Sequence, residues 1–381
     1  DVLTAIDFCL AGGTVIVHDG TYPIRDTLKI EKKLTLKSEN GRETTILARD
    51  TSVSTRILYL NHAEALAEGF TIQKGNGGGA AGGVPYGGGV LIGTVGGTLD
   101  KCLVENCSSG NCGGGMALLA TNAVVRRTIF RNNSSHVAYY GGGVYITQGG
   151  GIVDNCLFYN NTGKWGGAVY ADGASPKIRI YNTTALDNKG DGGNICDYAS
   201  TKDARAVNTI STFVSFTQDH CLGTTSFTDQ PNNDYTLAPG ATAIDAGVDY
   251  EGMCATDLAG NPRKSGEAVD IGAYERSAEV LAVDVSVDVK SADFTGDVVY
   301  TLTPTVAGAS SATLDWTIRR SDGVVVRTEA GLSVAPLAFR PTEPGCFTVR
   351  VVASDGGRTA EVEHADLFVA GTDRVFIDAK G

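Results

Sequence analysis

A short phrase of alternating residues recurs along the middle of the chain at a nearly constant interval. Each copy has a Cys or Thr, then an apolar residue, then an Asn or Asp, at every second position. The copies are Cys102-x-Val104-x-Asn106, Thr128-x-Phe130-x-Asn132, Cys156-x-Phe158-x-Asn160 and Thr183-x-Ala185-x-Asp187. Their interval of about 25 to 28 residues predicts a solenoid, in which each repeat packs against its two neighbours.

Each repeat also contains a second short strand that starts with a small or polar residue. The copies are Gly89-Val90-x-Ile92, Gly115-Met116-x-Leu118, Gly143-Val144-x-Ile146, Ala168-Val169-x-Ala171 and Asn194-Ile195-x-Asp197. Two or three strands per period indicate a β-helix, whose coils climb by one strand spacing of about 4.8 Å. Equivalent residues then stack, which predicts one buried column of Cys102, Thr128, Cys156 and Thr183 and another of Val104, Phe130, Phe158 and Ala185.

The polar ends of the first phrase are predicted to form a ladder at a turn. Amide side chains that stack at the coil spacing can hydrogen-bond along the stack. The predicted ladder consists of Asn106, Asn132, Asn160 and Asp187. The alternative is glycosylation, because Asn132, Asn160 and Asn182 fit the N-x-[ST] pattern.

The first twelve residues, DVLTAIDFCLAG, predict a helix. Leu3, Ile6, Cys9 and Leu10 recur at helical spacing, and a Gly-Gly step ends the run. A solenoid has an open end whose strands could pair with another chain. We therefore expect this helix to cap the first coil.

The repeat stops near residue 230, and a different pattern begins near residue 278. Six or seven alternating strands follow, which predicts a β-sandwich of immunoglobulin type with Trp316 in its core. The predicted organisation is an all-β chain with a β-helix at 1–276 and a sandwich at 277–371.

Composition excludes several classes of function. The formal net charge of −12 argues against nucleic-acid partners, which need clustered Lys and Arg. No run reaches the roughly 20 apolar residues of a membrane span. The nine cysteines include no C-x-x-C pair, which argues against a zinc site. Cys102 and Cys156 are expected to be buried thiols, whereas a Cys107–Cys112 disulfide stays open as an alternative to two free thiols.

Several stretches resemble known families. AGGTVIVHDGTYPI (11–24) and NCLFYNNTGKWGGAVY (155–170) resemble right-handed parallel β-helix proteins of the pectate-lyase-like superfamily. DLAGNPRKSGEAVDIGAYE (257–275) resembles the ending of choice-of-anchor Q domain proteins, and PTEPGCFTVRVVASDGG (341–357) resembles PKD and related Ig-like modules. The two β-helix resemblances together cover residues 1–276.

The resemblance implies a secreted, surface-attached bacterial protein. We expect an extracellular structural or adhesin-like module, with surface proteins or glycans as partners and oligomers or filaments as one form of assembly. TDRVFIDAKG (372–381) looks like the first strand of a following β-helix module, so we expect one unit of a longer repetitive protein. The alternatives are a polysaccharide lyase or glycoside hydrolase, and a glycan-binding module without catalysis.

Enzymes on this fold act on polysaccharides through outward residues of one sheet. Glu105, Arg131 and Tyr159 are the catalytic candidates, because Glu105 and Arg131 are predicted neighbours on adjacent coils. The alternative is an exposed ion pair across two strands, and a non-catalytic chain is the prediction.

An outward aromatic column is predicted on another sheet. The column consists of Leu91, Ala117, Tyr145, Tyr170 and Cys196. Tyr145 and Tyr170, with Trp165 and Tyr159, are the candidates for binding a glycan or a partner. The alternative is that these rings pack beneath a loop or a neighbouring domain.

The acidic ending has two candidate metal ligands, Asp257 and Asp270. A structural calcium there is one expectation. The other is that both carboxylates accept hydrogen bonds from loop amides while Arg263 pairs with one of them. No other cofactor is predicted.

Overall fold

The computed structural model describes most of the chain. The described residues are 1–77, 85–136, 139–147, 149–172, 177–197, 204–212, 216–277, 281–291, 299–308, 312–343, 345–355 and 358–369. They fall into two compact units, Asp1–Ser277 and Ala278–Gly381. The strand predicted at 372–381 lies outside the described residues. Within the described part, no helix is long and apolar enough to span a membrane.

The first unit is a parallel β-helix built around three long sheets, A, B and C. Successive coils visit the sheets in this order and return to sheet A. The strands of sheet A are Thr14–Val17, Leu34–Ser38, Ala65–Glu68, Gly97–Asp100, Ala123–Arg126, Gly151–Asp154, Ile178–Tyr181, Ala204–Val207 and Thr217–Asp219. The strands of sheet B are Gly20–Ile24, Thr45–Arg49, Thr71–Gln73, Leu103–Glu105, Ile129–Arg131, Leu157–Tyr159, Thr184–Ala185 and Ile210–Ser211.

Sheet C closes each coil, and a short fourth sheet, D, lies between sheets B and C. The strands of sheet C are Leu28–Ile30, Leu58–Leu60, Val90–Ile92, Met116–Leu118, Val144–Ile146, Val169–Ala171 and Ile195–Asp197. The strands of sheet D are Ser108–Ser109, Ser134–Ser135, Thr162–Trp165 and Lys189–Asp191. The predicted β-helix is therefore confirmed.

The interior consists of residues stacked from coil to coil. The strand register places Val104, Phe130, Phe158 and Ala185 in one column, and all four are fully buried. The rings of Phe130 and Phe158 stack with centroids 4.8 Å apart and an interplanar angle of 4°. The predicted column of Cys102, Thr128, Cys156 and Thr183 is likewise fully buried. Each coil thus buries its apolar positions on those of the next.

The polar ladder is present, but one residue further along the chain than predicted. The residues predicted for it share an exposed side chain and a left-handed backbone, with φ between 53° and 55°: Asn106, Asn132, Asn160 and Asp187. The hydrogen-bonded residues are their successors. Asn133 donates from its backbone N–H and its Nδ2 to Asn161 Oδ1, at 3.0 and 2.9 Å, and Asn161 does the same to Asn188 Oδ1. The left-handed residue reverses the chain, and the next side chain points inward.

A short helix, Val2–Phe8, covers the open end of the first coil. Asp1 caps it by accepting a hydrogen bond from Thr4 N–H at 2.8 Å. Val2 and Ile6 are buried in the same apolar cluster as the coils. The helix is shorter than predicted: Leu10 lies beyond its end and is 83% exposed.

The chain after the last coil folds back onto the outer face of sheet B. This segment contains a hairpin, Phe227–Asp229 with Asp234–Leu237, whose turn includes the 3₁₀ helix Gln230–Asn232. An apolar cluster joins it to the sheet; its buried members are Leu157, Tyr159, Leu186, Ile210, Tyr235, Leu237, Ala241, Ala243, Leu258, Ile271 and Ala273. The outer face of sheet B is therefore a second core in its central coils.

The second unit contains two antiparallel sheets. The three-stranded sheet consists of Ala282–Ser291, Val299–Ala307 and Leu337–Phe339. The four-stranded sheet consists of Val325–Ser333, Thr313–Arg320, Gly345–Asp355 and Arg358–Val369. One apolar cluster includes residues of both sheets, and Trp316 is buried in it as predicted.

The ladder yields a stability prediction. Asn161→Ala removes the acceptor of two buried Asn133 N–H groups, so we expect the free energy of unfolding to fall by about 1–3 kcal/mol. Asn160→Gly keeps the left-handed backbone and removes an exposed side chain, so we expect a change below about 0.5 kcal/mol. Urea denaturation followed by circular dichroism measures both. A larger loss for Asn160→Gly than for Asn161→Ala would contradict the assignment.

Candidate functional site

The three catalytic candidates form one chain of contacts along sheet B. Glu105 and Arg131 are register partners, and Arg131 Nε donates to Glu105 Oε2 at 2.8 Å. Arg131 Nη1 donates to the Tyr159 hydroxyl at 3.1 Å. The predicted adjacency of Glu105 and Arg131 is present, with the geometry of an ion pair across two strands.

The chain after the last coil, called the covering segment below, buries one end of this chain of contacts. Tyr159 is buried, and its ring packs against Tyr235 of the hairpin with centroids 5.4 Å apart. Leu157, in the same strand as Tyr159, is buried under the same segment. Tyr159 is predicted to bind a glycan or a partner, and its burial beside Tyr235 argues against that role.

The aromatic column of sheet C exists in the predicted register but is buried. Leu91, Ala117, Tyr145, Tyr170 and Cys196 follow one another across the sheet. Tyr145 and Tyr170 are only 4% and 3% exposed, and this burial argues against the prediction that they bind a glycan or a partner.

Rings from the connecting loops cover the column. Tyr140 stacks on Tyr170 at 4.5 Å, and Tyr86 packs against Tyr145 at 5.1 Å. The Tyr145 hydroxyl donates to Asp172 Oδ2 at 2.6 Å. Loop packing is therefore the interpretation that fits these two tyrosines.

Trp165 differs from the tyrosines because it stays at the surface. It ends the third strand of sheet D and is 39% exposed. A Cβ at Gly192 would lie 2.7 Å from Trp165 Cε3, so the indole lies directly on the Gly192 backbone. Of the four predicted glycan- or partner-binding residues, Trp165 has the most open ring.

The two candidate metal ligands are buried among amide donors. Asp257 accepts from the backbone N–H of Asn261 at 2.8 Å and of Glu275 at 2.9 Å. Asp270 accepts from the backbone N–H of Asp245 at 2.8 Å and of Arg276 at 2.6 Å. All four carboxylate oxygens thus receive a hydrogen bond. The part of the chain that the structure describes contains no group of three or more His, Cys, Asp or Glu suited to a metal ion.

Arg263 contacts different partners in the acidic ending from those predicted. It is buried, and its Nη2 donates to the backbone carbonyls of Asp270 and Gly272 at 2.5 and 2.9 Å. Its carboxylate partner is Glu275, at 3.9 Å, and neither Asp257 nor Asp270 has that role. Glu275 also accepts two backbone N–H groups, from Ser265 and Asp270.

Sequence reasoning missed a column of charges at the end of sheet A. The register aligns Lys37, Glu68, Asp100, Arg126 and Asp154 on successive coils. The repeat alignment could have found it, because Asp100, Arg126 and Asp154 each precede a Cys or Thr of the buried column by two residues.

Each carboxylate in this column is engaged. Lys101 Nζ lies 2.9 Å from Glu68 Oε1. Asp100 is 2% exposed and accepts from Arg126 Nε and Arg127 Nε, both at 2.9 Å. Two carboxylates on neighbouring strands would repel, and the flanking cations neutralise them.

Asp154, two coils beyond Asp100, anchors the covering segment. Its carboxylate accepts from the Tyr250 hydroxyl at 2.8 Å and from Cys254 Sγ at 3.2 Å. Burial raises the pKa of Asp154, although both hydrogen bonds oppose that shift. Burial also raises the pKa of the Cys254 thiol to about 12. This group is closed to substrate.

A groove of about 400 Å³ lies beside the charged column. It is lined by Lys37, Glu68, Lys101 and Arg127 on one side and by the loop 257–260 on the other. The groove brings Glu68 and Lys101 together beside solvent, and an anionic sugar could contact its cations.

All nine cysteines are free thiols, including Cys107 and Cys112, so the alternative of a disulfide between them is not realised in this structure. Both are buried, in different apolar clusters.

Part of the chain matches a known family. Residues 56–214 match the family described as right handed beta helix region. That range lies within the stacked parallel sheets, so the first unit is a right-handed parallel β-helix. No significant match was found among curated proteins or solved structures.

The buried Glu275 predicts a pH dependence. Burial raises its pKa from 4.5 to about 7. Its stabilising contribution is therefore full below pH 4.5 and is lost as the pH rises to about 7. We expect the melting temperature of the protein to fall by roughly 2–4 °C between about pH 5 and pH 8. The fall in melting temperature should be smaller in Glu275→Gln. An equal dependence of melting temperature on pH in the two proteins would contradict the raised pKa of Glu275.

The saturated carboxylates of Asp257 and Asp270 predict indifference to calcium. We expect excess EDTA to leave the melting temperature unchanged, because amide N–H groups already occupy all four oxygens. Differential scanning calorimetry with and without EDTA measures this. A drop of several degrees that added calcium restores would establish a structural calcium instead.

Proposed function

We propose that this chain is a non-catalytic, scaffold-like or adhesin-like module of a secreted bacterial cell-surface protein. One observation carries the proposal: the aligned side chains that could perform chemistry are tied to each other or covered. Glu105 is held by Arg131, Asp100 by two arginines, and Asp154 is buried under Tyr250.

Chemical reasoning supports a non-catalytic role. A general acid or base needs both a suitable pKa and access to substrate. Asp154 has the raised pKa of an acid but is buried, so it meets only the first requirement. The Glu105 side chain is 13% exposed, and its carboxylate is engaged by Arg131 Nε at 2.8 Å.

The ending and the second unit support the placement at a cell surface. Residues 257–275 resemble choice-of-anchor Q endings, and Asp257, Arg263, Asp270 and Glu275 of that stretch form a closed hydrogen-bonded group. We assign the first unit to that group of surface proteins and the second unit to the Ig-like modules. Extracellular location and membership of a longer repetitive chain are part of this proposal.

The rival function is a polysaccharide lyase or hydrolase at the charged groove. Glu68 and Lys101 favour it, because they meet at 2.9 Å beside a space of about 400 Å³. The ion pair itself is the argument against it, since each group neutralises the other.

A turnover assay separates the two functions. The whole chain is incubated with acidic and neutral polysaccharides, and new reducing ends and unsaturated products are measured. We expect no product above a buffer control. Turnover that Glu68→Gln abolishes and Glu43→Gln retains would overturn the proposal, because Glu43 is an exposed carboxylate elsewhere on the groove rim.

A further inference from the structure

Sheet D carries an open polar surface that the proposed function does not use. Its strands Thr162–Trp165 and Lys189–Asp191 lie side by side, and Trp165 is the register partner of Asp191. At the other end of the same strands lie Asn160 and Asp187, both exposed. We call this area, from Asn160 and Asp187 to Trp165, the D surface.

A pocket of about 480 Å³ opens at the Asn160 end of the D surface. It is lined by Asn160, Asp187, Gln230, Pro231, Asn233 and Tyr235. The hairpin of the covering segment thus contributes one wall, and the turn of the β-helix contributes the other.

Asp187 is fixed in this pocket with one oxygen left available. Its Oδ2 accepts from Gln230 Nε2 at 2.8 Å and from the Tyr235 hydroxyl at 2.7 Å. Among the described residues, no protein donor contacts Asp187 Oδ1, and none binds the Asn160 side-chain amide. A positioned carboxylate beside an amide offers an acceptor and a donor together, which is what adjacent hydroxyl groups require.

Trp165 supplies the apolar part of the D surface. The Gly192 backbone supports one part of the indole, and 39% of the residue stays exposed. Four residues lie between Asn160 and Trp165, so the Cα atoms of these two residues are at most about 18 Å apart. One short chain molecule can therefore contact both ends.

The charges of the D surface balance. Lys164 and Lys189 are exposed, as are Asp187 and Asp191. A strongly anionic or cationic partner gains nothing from such a surface. A ligand with many hydroxyl groups and flat apolar faces matches the available carboxylate oxygen, the amide and the indole.

We propose that the D surface binds a neutral oligosaccharide, with Asp187 and Asn160 hydrogen-bonding its hydroxyl groups and Trp165 stacking on a sugar ring. This inference rests on the proposed adhesin-like role, for which it names the class of partner. It places binding away from the buried tyrosines of sheet C and from the charged groove.

Isothermal titration of the whole chain tests the proposal. The probes are cellohexaose, xylohexaose, mannohexaose and chitohexaose, with an oligogalacturonate as the charged comparison. We expect heat of binding with at least one neutral probe. We expect about tenfold weaker binding in Trp165→Ala and several-fold weaker binding in Asn160→Gly.

Two matched controls distinguish binding from folding. Phe8→Ala removes an aromatic ring that is 83% exposed on the cap helix. Asn106→Gly removes an amide from an exposed position with the same left-handed backbone, two coils away from the pocket. Both should bind like the unaltered chain, and circular dichroism should be the same for all four variants.

Three results would overturn the inference. They are no binding to any neutral probe, binding of the galacturonate alone, and neutral-probe binding that Trp165→Ala and Asn160→Gly leave unchanged. Each of these leaves the non-catalytic proposal intact, because that proposal fails only on turnover.

Discussion

The amide ladder between coils is the interaction on which the rest of the first unit depends. At three consecutive turns from sheet B towards sheet D, a ladder amide donates to a backbone carbonyl of the preceding coil. Asn133 reaches Val104 O, Asn161 reaches Phe130 O and Asn188 reaches Phe158 O, all at 2.9 to 3.0 Å. Side-chain oxygens accept from the backbone N–H groups that the turn leaves unpaired. Without these bonds, the turn would bury unpaired polar groups in each of these three coils.

A fixed stack of coils explains why the outer faces differ from one another. Sheet B is covered by the returning chain, and the tyrosines of sheet C are covered by ring-bearing loops. Sheet D keeps an open surface. The carboxylates that stack along sheet A are each engaged: Glu68 and Asp100 by cations, and Asp154 by Tyr250 and Cys254. Such an arrangement suits a rigid support with a local binding surface better than a catalytic cleft.

The repeat in the sequence predicted those parts of the structure that recur from coil to coil. The buried columns, the strand order and the Glu105–Arg131 neighbours all follow from the spacing of one repeated phrase. The ladder was placed one residue early because the phrase contains Asn-Asn pairs, and only the left-handed backbone of Asn132 and Asn160 shows which amide turns inward. The sequence left the burial of Tyr145 and Tyr159 as an alternative, because the segments that cover them do not belong to the repeat.

Native-state hydrogen exchange at single amides tests the central claim most directly. The backbone N–H of Asn133 and Asn161 each donate to the next coil's ladder side chain. If the ladder joins the coils, these two amides exchange as slowly as the buried strand amides of Phe130 and Phe158, through the same cooperative opening. Exchange as fast as in exposed turns, with the strands still protected, would show that the coils are held by apolar stacking alone.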